Sequence, residues 1–464
     1  MFKKTLLAAV LISQLTTSCS SSDDSSNTDS SQSSLSQEIA AIVNQPYSKL
    51  TPSEQKLKLE ADSNTMLTQM EKSKTSGAIE AIQNLGNLLD ISTVDIFNGK
   101  NDNQIEDVLK VSGVYGIYTW NNTQQKWDKS ASTTELKFIF PAKKGLTTNK
   151  AVLSSTSTSS TIKVKIEDTP ERWIYNPNTN PSYTSTPEKN DEIFLPTSVN
   201  ATLTIDDKEA ATFVANAKYT GTVETPDESS FKMVLNDGYT WEISGNKAAG
   251  NNAAKSSFTY NGKNLLQFNS GSTANIDELL KEDALIQYRG KANGLATLMD
   301  NFVIVADMDI AQSAADKEAL EKSNPYSGYV DYSNPNTNFK AYYTAQNTYE
   351  KKKSEGSAAN FNKNMKLILV SKKDGTKIAD LVQHSEKESN IGRLPVWTPV
   401  SYYPNGGYWD SWSGNGEAFT YENYTEVTYL KFGDNTEVEM SAYFSEGFEN
   451  LNTKFQDFLT AFER

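Results

Sequence analysis

The stretch Val199-Asn200-Ala201-Thr202-Leu203-Thr204-Ile205-Asp206-Asp207-Lys208-Glu209-Ala210-Ala211-Thr212-Phe213-Val214-Ala215-Asn216-Ala217-Lys218-Tyr219 decides the fold. Val199, Ala201, Leu203 and Ile205 alternate with polar residues, and Phe213, Ala215, Ala217 and Tyr219 resume the pattern beyond Asp206-Asp207. A period of two sends successive side chains to opposite faces of a strand, so each strand has one apolar and one wet face. Two such strands joined by a tight turn are antiparallel neighbours.

The same device recurs outward along the chain. Phe231, Met233 and Leu235 are followed by Tyr239, Trp241 and Ile243 across Asp237-Gly238, and Phe258 and Tyr260 lead through Asn261-Gly262 to Leu266 and Phe268. Asp374-Gly375 and the segment Gly433-Asp434-Asn435 mark later hairpins, the second followed by Val438, Met440, Ala442 and Phe444 on one face. Asp, Asn and Gly supply the positive φ that two-residue turns require.

Helices flank this β-rich body. Thr51-Pro52-Ser53-Glu54 forms a capping box with proline at the first helical position, and Leu59, Met66, Leu67 and Met70 follow at helical spacing. A second helix is predicted from Ser76, with Ile79, Ile82, Leu85 and Leu89 on one stripe. At the far end Phe448, Leu451, Phe455, Phe458, Leu459 and Phe462 share a helical face, which predicts an amphipathic helix docked on the sheet. The predicted fold class is therefore α+β: antiparallel hairpins with N-terminal helices and a C-terminal helix packed on the sheet.

Residues 45–310 read as a front body and 361–464 as a back body, joined by 311–360, where Ala314–Lys322 is a short helix and 325–360 a polar, Tyr-rich linker. One extended domain and two abutting domains both fit the pattern, and the length favours two.

The first residues read as an export signal. Lys3 and Lys4 precede the apolar run Leu6–Ile12, far short of the about 20 residues that span a bilayer. The segment Leu15-Thr16-Thr17-Ser18-Cys19 resembles the lipobox of bacterial lipoproteins, with Thr16 where the family usually has leucine. That resemblance implies cleavage after residue 18, acylation of Cys19 and attachment to a membrane. Ser20-Ser21-Ser22-Asp23-Asp24 is similar to the start of surface-exported lipoproteins of the Bacteroidota, which implies the outer membrane and its outer face, with the periplasmic leaflet as the alternative. Within 19–44, residues 20–37 are nearly devoid of apolar side chains and are predicted to be a disordered stalk.

Composition excludes several function classes. The chain carries a net charge of −14; removing 1–18 takes away Lys3 and Lys4 and no acid, leaving −16, a charge repelled by phosphate backbones. No nucleic-acid partner is expected. The single histidine, His384, and the single cysteine, at the anchor, cannot build a multi-His zinc site or a cysteine nucleophile. No Gly-x-Ser-x-Gly turn accompanies His384, so it reads as a surface or strand-end residue. Neither a P-loop nor a dinucleotide glycine fingerprint is present, and no cofactor, metal or catalytic residue is assigned. Asn101-Asp102-Asn103 and Asp307-x-Asp309 depart from Ca²⁺-loop spacing and read as turn or surface chemistry.

Candidate ligand-binding residues are Tyr402, Tyr403, Tyr408, Trp409 and Trp412, in a Gly- and Asn-rich segment from 402 to 416. Their rings either stack on sugar faces or fold onto the body as ordinary packing. A glycan site requires exposed, coplanar rings at Tyr408, Trp409 and Trp412. Trp173-Ile174-Tyr175, in a Pro- and Asn-rich segment from 168 to 196, is a second such loop.

Three readings follow. The first is a non-enzymatic binding lipoprotein: a curled antiparallel sheet with helices on its concave face resembles periplasmic lipoproteins that carry acyl chains, which implies a lipid or other apolar ligand in a large enclosed cavity. The second is surface glycan capture. The third is a glycoside hydrolase using two carboxylates roughly 5–10 Å apart.

Overall fold

The computed structural model describes residues 28–444 apart from 74, 93, 95, 97–110, 170–171, 178–182, 187–188, 249, 282–287 and 327. Cys19, Asn101-Asp102-Asn103 and the C-terminal helix expected around Phe448–Phe462 lie outside the described residues.

Among the described residues three helices come first: α1 (Thr28–Val43), α2 (Pro52–Ser73) and α3 (Gly77–Ile91). The capping box of α2 forms: Thr51 N donates to Glu54 Oε2 at 2.8 Å and Glu54 N to Thr51 Oγ1 at 3.3 Å. α1 begins inside the segment expected to be a disordered stalk. Its Leu35, Ile39 and Ile42 recur at helical spacing and are buried, a stripe hidden among the serines that precede it.

Two sheets follow. The first contains β1 (Gly116–Asn121), β2 (Lys126–Ser130), β3 (Leu136–Pro141), β4 (Asn149–Thr169), β7 (Lys189–Ile205), β8 (Lys208–Lys218) and β9 (Glu228–Leu235), in the order 2-1-3-4-7-8-9. Among the described strands of this sheet, only β1 and β3 pair in parallel. Between β4 and β7, β5 (Arg172–Tyr175) and β6 (Tyr183–Thr186) form a small hairpin of their own. The second sheet is a meander of β10 (Tyr239–Asn246), β11 (Asn252–Tyr260), β12 (Lys263–Ser272), β13 (Lys291–Leu298), β14 (Phe302–Asp309), β15 (Met365–Ser371) and β16 (Thr376–Arg393), extended by β19 (Ala418–Lys431) and β20 (Glu437–Glu439). The short helix α4 (Ile276–Lys281) lies between β12 and β13.

The expected hairpins form at Asp206-Asp207, Asn261-Gly262, Asp374-Gly375 and Gly433-Asp434-Asn435. Asp237-Gly238 instead joins two sheets, since β9 ends the first and β10 begins the second, and the strand face expected from Val438 to Phe444 stops at Glu439, where Met440–Tyr443 turns helical. Asp206 and Asp207 take φ of 50° and 61°, and Asn261 and Gly262 take 48° and 74°. Both central residues are left-handed, which matches the twist of the flanking strands.

The main core lies between the two sheets and the helices. Met66, Met70, Ile79, Leu85 and Leu88 of α2 and α3 meet Phe138, Phe140, Leu153, Leu203 and Phe213 of the first sheet and Trp241 and Phe258 of the second. Both sheets therefore close on the same two helices. On the second sheet the covering is double. Phe302 and Leu369 face Leu59 of α2, whereas Val303, Val305, Ile368 and Val370 face α1. This explains the unbroken run Leu367-Ile368-Leu369-Val370: a strand buried on both faces has no wet side to alternate with.

The linker expected over 325–360 is largely helix. After α5 (Ile310–Ser323), whose N-cap Asp309 accepts from Gln312 N, a loop leads into α6 (Phe339–Asn364). α6 is polar nearly all round, so periodicity gives no sign of it. It docks through amides: Asn347 Nδ2 donates to Thr420 O and Glu422 N to Asn347 Oδ1, and Asn362 makes the same reciprocal pair with the backbone of Gln383. Meanwhile β14 and β15, one from each expected body, pair along Phe302–Met308 and Met365–Ser371. Front and back share one sheet.

A strap completes the second sheet. Lys377 N donates to Pro46 O and Ser48 N to Lys377 O, covering β16 before its pairing with β19 begins at Asp380. The Tyr47 hydroxyl donates to Asp380, and Lys377 Nζ lies 4.2 Å from the Tyr47 ring centre. Burial and the adjacent carboxylate push the Tyr47 phenol up to about 12. Beyond the sheet, α7 (Met440–Tyr443) brings buried Tyr443 against Phe432.

Candidate functional site

Between β16 and β19 the chain makes a hairpin of its own, β17 (Val396–Pro399) with β18 (Gly407–Asp410). Its base is tightly closed. Leu394 N donates to Glu417 O at 2.9 Å and Arg393 Nη1 to Gly416 O at 3.0 Å. A Cβ at Gly416 would lie 1.7 Å from Leu394 O, so only glycine fits there. At the tip, Val400 N donates to Gly406 O and Gly406 N to Tyr403 O, and Gly406 takes φ of 77°.

This hairpin sorts the candidate aromatic residues by strand alternation. Trp397 and Trp409 are register partners on one face, with ring centres 5.5 Å apart. That face meets α6: Trp409 packs edge-to-face on buried Phe339 at 4.6 Å, and its Nε1 donates to Asn334 O at 3.0 Å. Tyr408, the next residue along, points to the opposite face. There its ring meets Tyr403 at 5.4 Å and 33°, and Tyr403 meets Tyr402 at 5.4 Å and 42°. Tyr402, Tyr403 and Tyr408 are 84%, 42% and 40% exposed, and Trp412 is 95% exposed.

The coplanar set expected from Tyr408, Trp409 and Trp412 is thus not what forms. Adjacent strand residues cannot share a face, so Trp409 becomes the root of the hairpin and Tyr402-Tyr403-Tyr408 its outer surface. Trp412 projects from a turn fixed by Asp410, whose Oδ1 accepts from Trp412 N at 2.8 Å and Ser413 N at 3.0 Å. Those backbone hydrogen bonds hold the Asp410 carboxyl below its ordinary value.

Sequence reading passed over the aromatic system beneath. From Phe339, rings run to Tyr343 at 6.0 Å, Tyr421 at 4.9 Å from Tyr343, and Phe419 at 5.1 Å from Tyr421. Tyr332 packs on Phe339 at 5.2 Å. Burial, reinforced by the Tyr332 hydroxyl, raises the Tyr343 phenol above its usual range. These residues come from two segments far apart in sequence, 332–343 and 419–421, and no local motif links them.

On the outer side of α6 lies an open groove of about 630 Å³, lined by Asn324, Pro325, Asn338, Lys340, Ala341, Thr344, Ala345, Thr348 and Tyr349. Tyr326 packs edge-on against Tyr349 at 5.4 Å and against exposed Tyr329 at 6.0 Å. Elsewhere, the second candidate loop folds into the β5–β6 hairpin, with Trp173, Ile174, Tyr175 and Tyr183 exposed and the two tyrosine rings 5.0 Å apart.

Among the described residues, no group of three His, Cys, Asp or Glu is placed to hold a metal ion. Asp309 is spent on the cap of α5 and on Lys291. His384, within β16, pairs through Nε2 with Glu437 at 2.6 Å. No helix of the described residues is long and apolar enough to cross a membrane. No family model, curated protein or solved structure matches the chain.

Proposed function

We propose that this protein is a lipid-anchored binding protein of the outer membrane surface that captures glycans on the outward face of the β17–β18 hairpin. The observation that carries this is the exposed ring set Tyr402-Tyr403-Tyr408, with Trp412 beside it, held on a hairpin rooted by Trp409. Exposed aromatic rings cost solvation unless a ligand covers them, and sugars offer apolar faces to stack and hydroxyls to hydrogen-bond. A rooted hairpin loses little conformational entropy on binding.

Two observations favour capture over the other readings. The interior between sheets and helices is occupied by side chains such as Met66, Met70, Leu85 and Phe138, which supports a structural core and not an acyl-chain cavity. Three carboxyls near the hairpin are lowered from their ordinary values: Asp410 by backbone hydrogen bonds from Trp412 and Ser413, Asp331 by Ser333, and Glu422 by Lys387 and Tyr424. A glycosidase needs the opposite, one carboxyl raised enough to donate a proton near neutrality.

Affinity electrophoresis of the full chain through gels containing mixed-linkage β-glucan, galactomannan or polygalacturonate tests this reading. Retardation by a polysaccharide is expected, and Tyr402→Ala/Tyr403→Ala/Trp412→Ala should abolish most of it. Retardation by none of them, or an unaffected triple variant, rejects it. The tether is tested separately by mass spectrometry of the mature N-terminus, where Cys19 should carry acyl chains and Cys19→Ser should release the protein from membranes.

A further inference from the structure

We infer that the groove on the outer side of α6 is a second carbohydrate-binding site, selective for uncharged sugars, which makes the protein bivalent toward a polysaccharide. The ligand class rests on the glycan reading above; the site itself rests on different residues.

Its lining has the composition that sugar hydroxyls require. Thr344 Oγ1 donates to Lys340 O at 2.7 Å and Thr348 Oγ1 to Thr344 O at 2.9 Å. Their protons are used within the helix, so both hydroxyls offer lone pairs outward. Asn324 Nδ2 donates to Tyr349 O, which leaves its Oδ1 as an acceptor. Asn338 Oδ1 caps the helix at Ala341 N, which leaves its Nδ2 as a donor. Ala341 and Ala345 make a low floor, and Tyr349, against which Tyr326 packs edge-on, makes the aromatic wall.

The segment leading into α6 is internally braced. Within 331–337, Asp331 Oδ1 accepts from Ser333 N at 2.8 Å, Thr337 Oγ1 donates to Asp331 O at 2.6 Å, and Asn334 Oδ1 accepts from Asn336 N at 2.9 Å. Asn334 O in turn receives Trp409 Nε1, so the same segment also holds the root of the hairpin.

Selectivity follows from charge. Lys340, the cation lining the groove, is paired with Glu417 at 2.5 Å. A uronate or phosphate would have to compete with the Glu417 carboxylate for Lys340, in a chain whose net charge is already −14.

The test is calorimetry with a short β-glucan or galactomannan oligosaccharide, whichever polymer retards the protein, together with affinity electrophoresis on the polymer itself. Wild type should bind two oligosaccharides. Tyr326→Ala/Tyr349→Ala and, independently, Thr344→Arg should each reduce this to one and weaken polymer retention at least about tenfold through lost avidity. Because Thr344 is exposed on a helix, the arginine blocks the groove with no burden on folding. A wild-type stoichiometry of one, lost only in the Tyr402/Tyr403/Trp412 variant, overturns the second site and leaves the hairpin site standing. Retention on polygalacturonate matching that on the uncharged polymers overturns the selectivity. Retention on no polymer removes both sites.

Discussion

Trp409 and Phe339 meet edge-to-face with ring centres 4.6 Å apart, and this contact joins the exposed hairpin to the first turn of α6. Phe339 is buried although its helix is otherwise mostly polar. Truncating it should cost about 3 kcal/mol, as a buried phenylalanine does. Phe339→Ala is expected to lower the denaturant midpoint, red-shift the tryptophan emission and weaken glycan retention, although no outward ring is touched. A variant with unchanged emission would show that the hairpin holds its position without this root.

Two glycines of one loop should behave differently. At Gly416 a Cβ would run into Leu394 O at 1.7 Å, whereas at Gly414, with φ of 71°, a Cβ meets nothing within 4 Å. Gly414→Ala should therefore cost only the left-handed backbone penalty, about 1 kcal/mol. Gly416→Ala should open the base of the hairpin and abolish retention by polysaccharide. Equal effects of the two in equilibrium unfolding would contradict the steric account.

Asn347 and Asn362 each make a two-way amide pair with the β16–β19 ribbon, and they are 15 residues, roughly 22 Å, apart along α6. Replacing either by alanine removes two hydrogen bonds at about 1 kcal/mol each. At that separation the losses should add within a few tenths of a kcal/mol. Urea unfolding of both single variants and the double variant measures this, and strong non-additivity would mean the helix undocks as a unit once either end is cut.

Asp316 ties α5 to the end of α6. Its carboxylate accepts from Lys363 at 2.7 Å, Asn364 at 2.8 Å and Gln312 at 2.8 Å, and these partners lower its pKa from 3.8 to about 2. A depressed carboxyl stabilises the fold above its unfolded value and loses that contribution as pH falls through the folded one. The α5–α6 junction should thus weaken between pH 3.8 and about 2, seen as faster amide exchange in α5. Asp316→Asn should remove that pH step; a step that persists would have another source.

How much of this was legible in the sequence follows from how each element is held. The hairpins at Asp206-Asp207 and Asn261-Gly262 and the capping box at Thr51 and Glu54 were legible because turn and cap chemistry is local. Helices α2 and α3 were legible because they bury an apolar stripe. α6 was not, since its docking uses asparagine side chains against backbone groups, which leave no hydrophobic period. α1 was missed because the stripe Leu35, Ile39, Ile42 lies within a run whose composition reads as disorder.

The aromatic segment shows the same division. Sequence alone identified Tyr402, Tyr403, Tyr408, Trp409 and Trp412 as an unusual concentration of rings, and set the antiparallel architecture through its period of two. Only the tertiary structure decided which rings face water. Trp409 turns inward because Phe339 and Asn334, about 70 residues earlier in the chain, are waiting for it, and strand geometry then sends Tyr408 out. Local rules fix the direction in which a side chain leaves the backbone; what it meets there depends on contacts between distant segments.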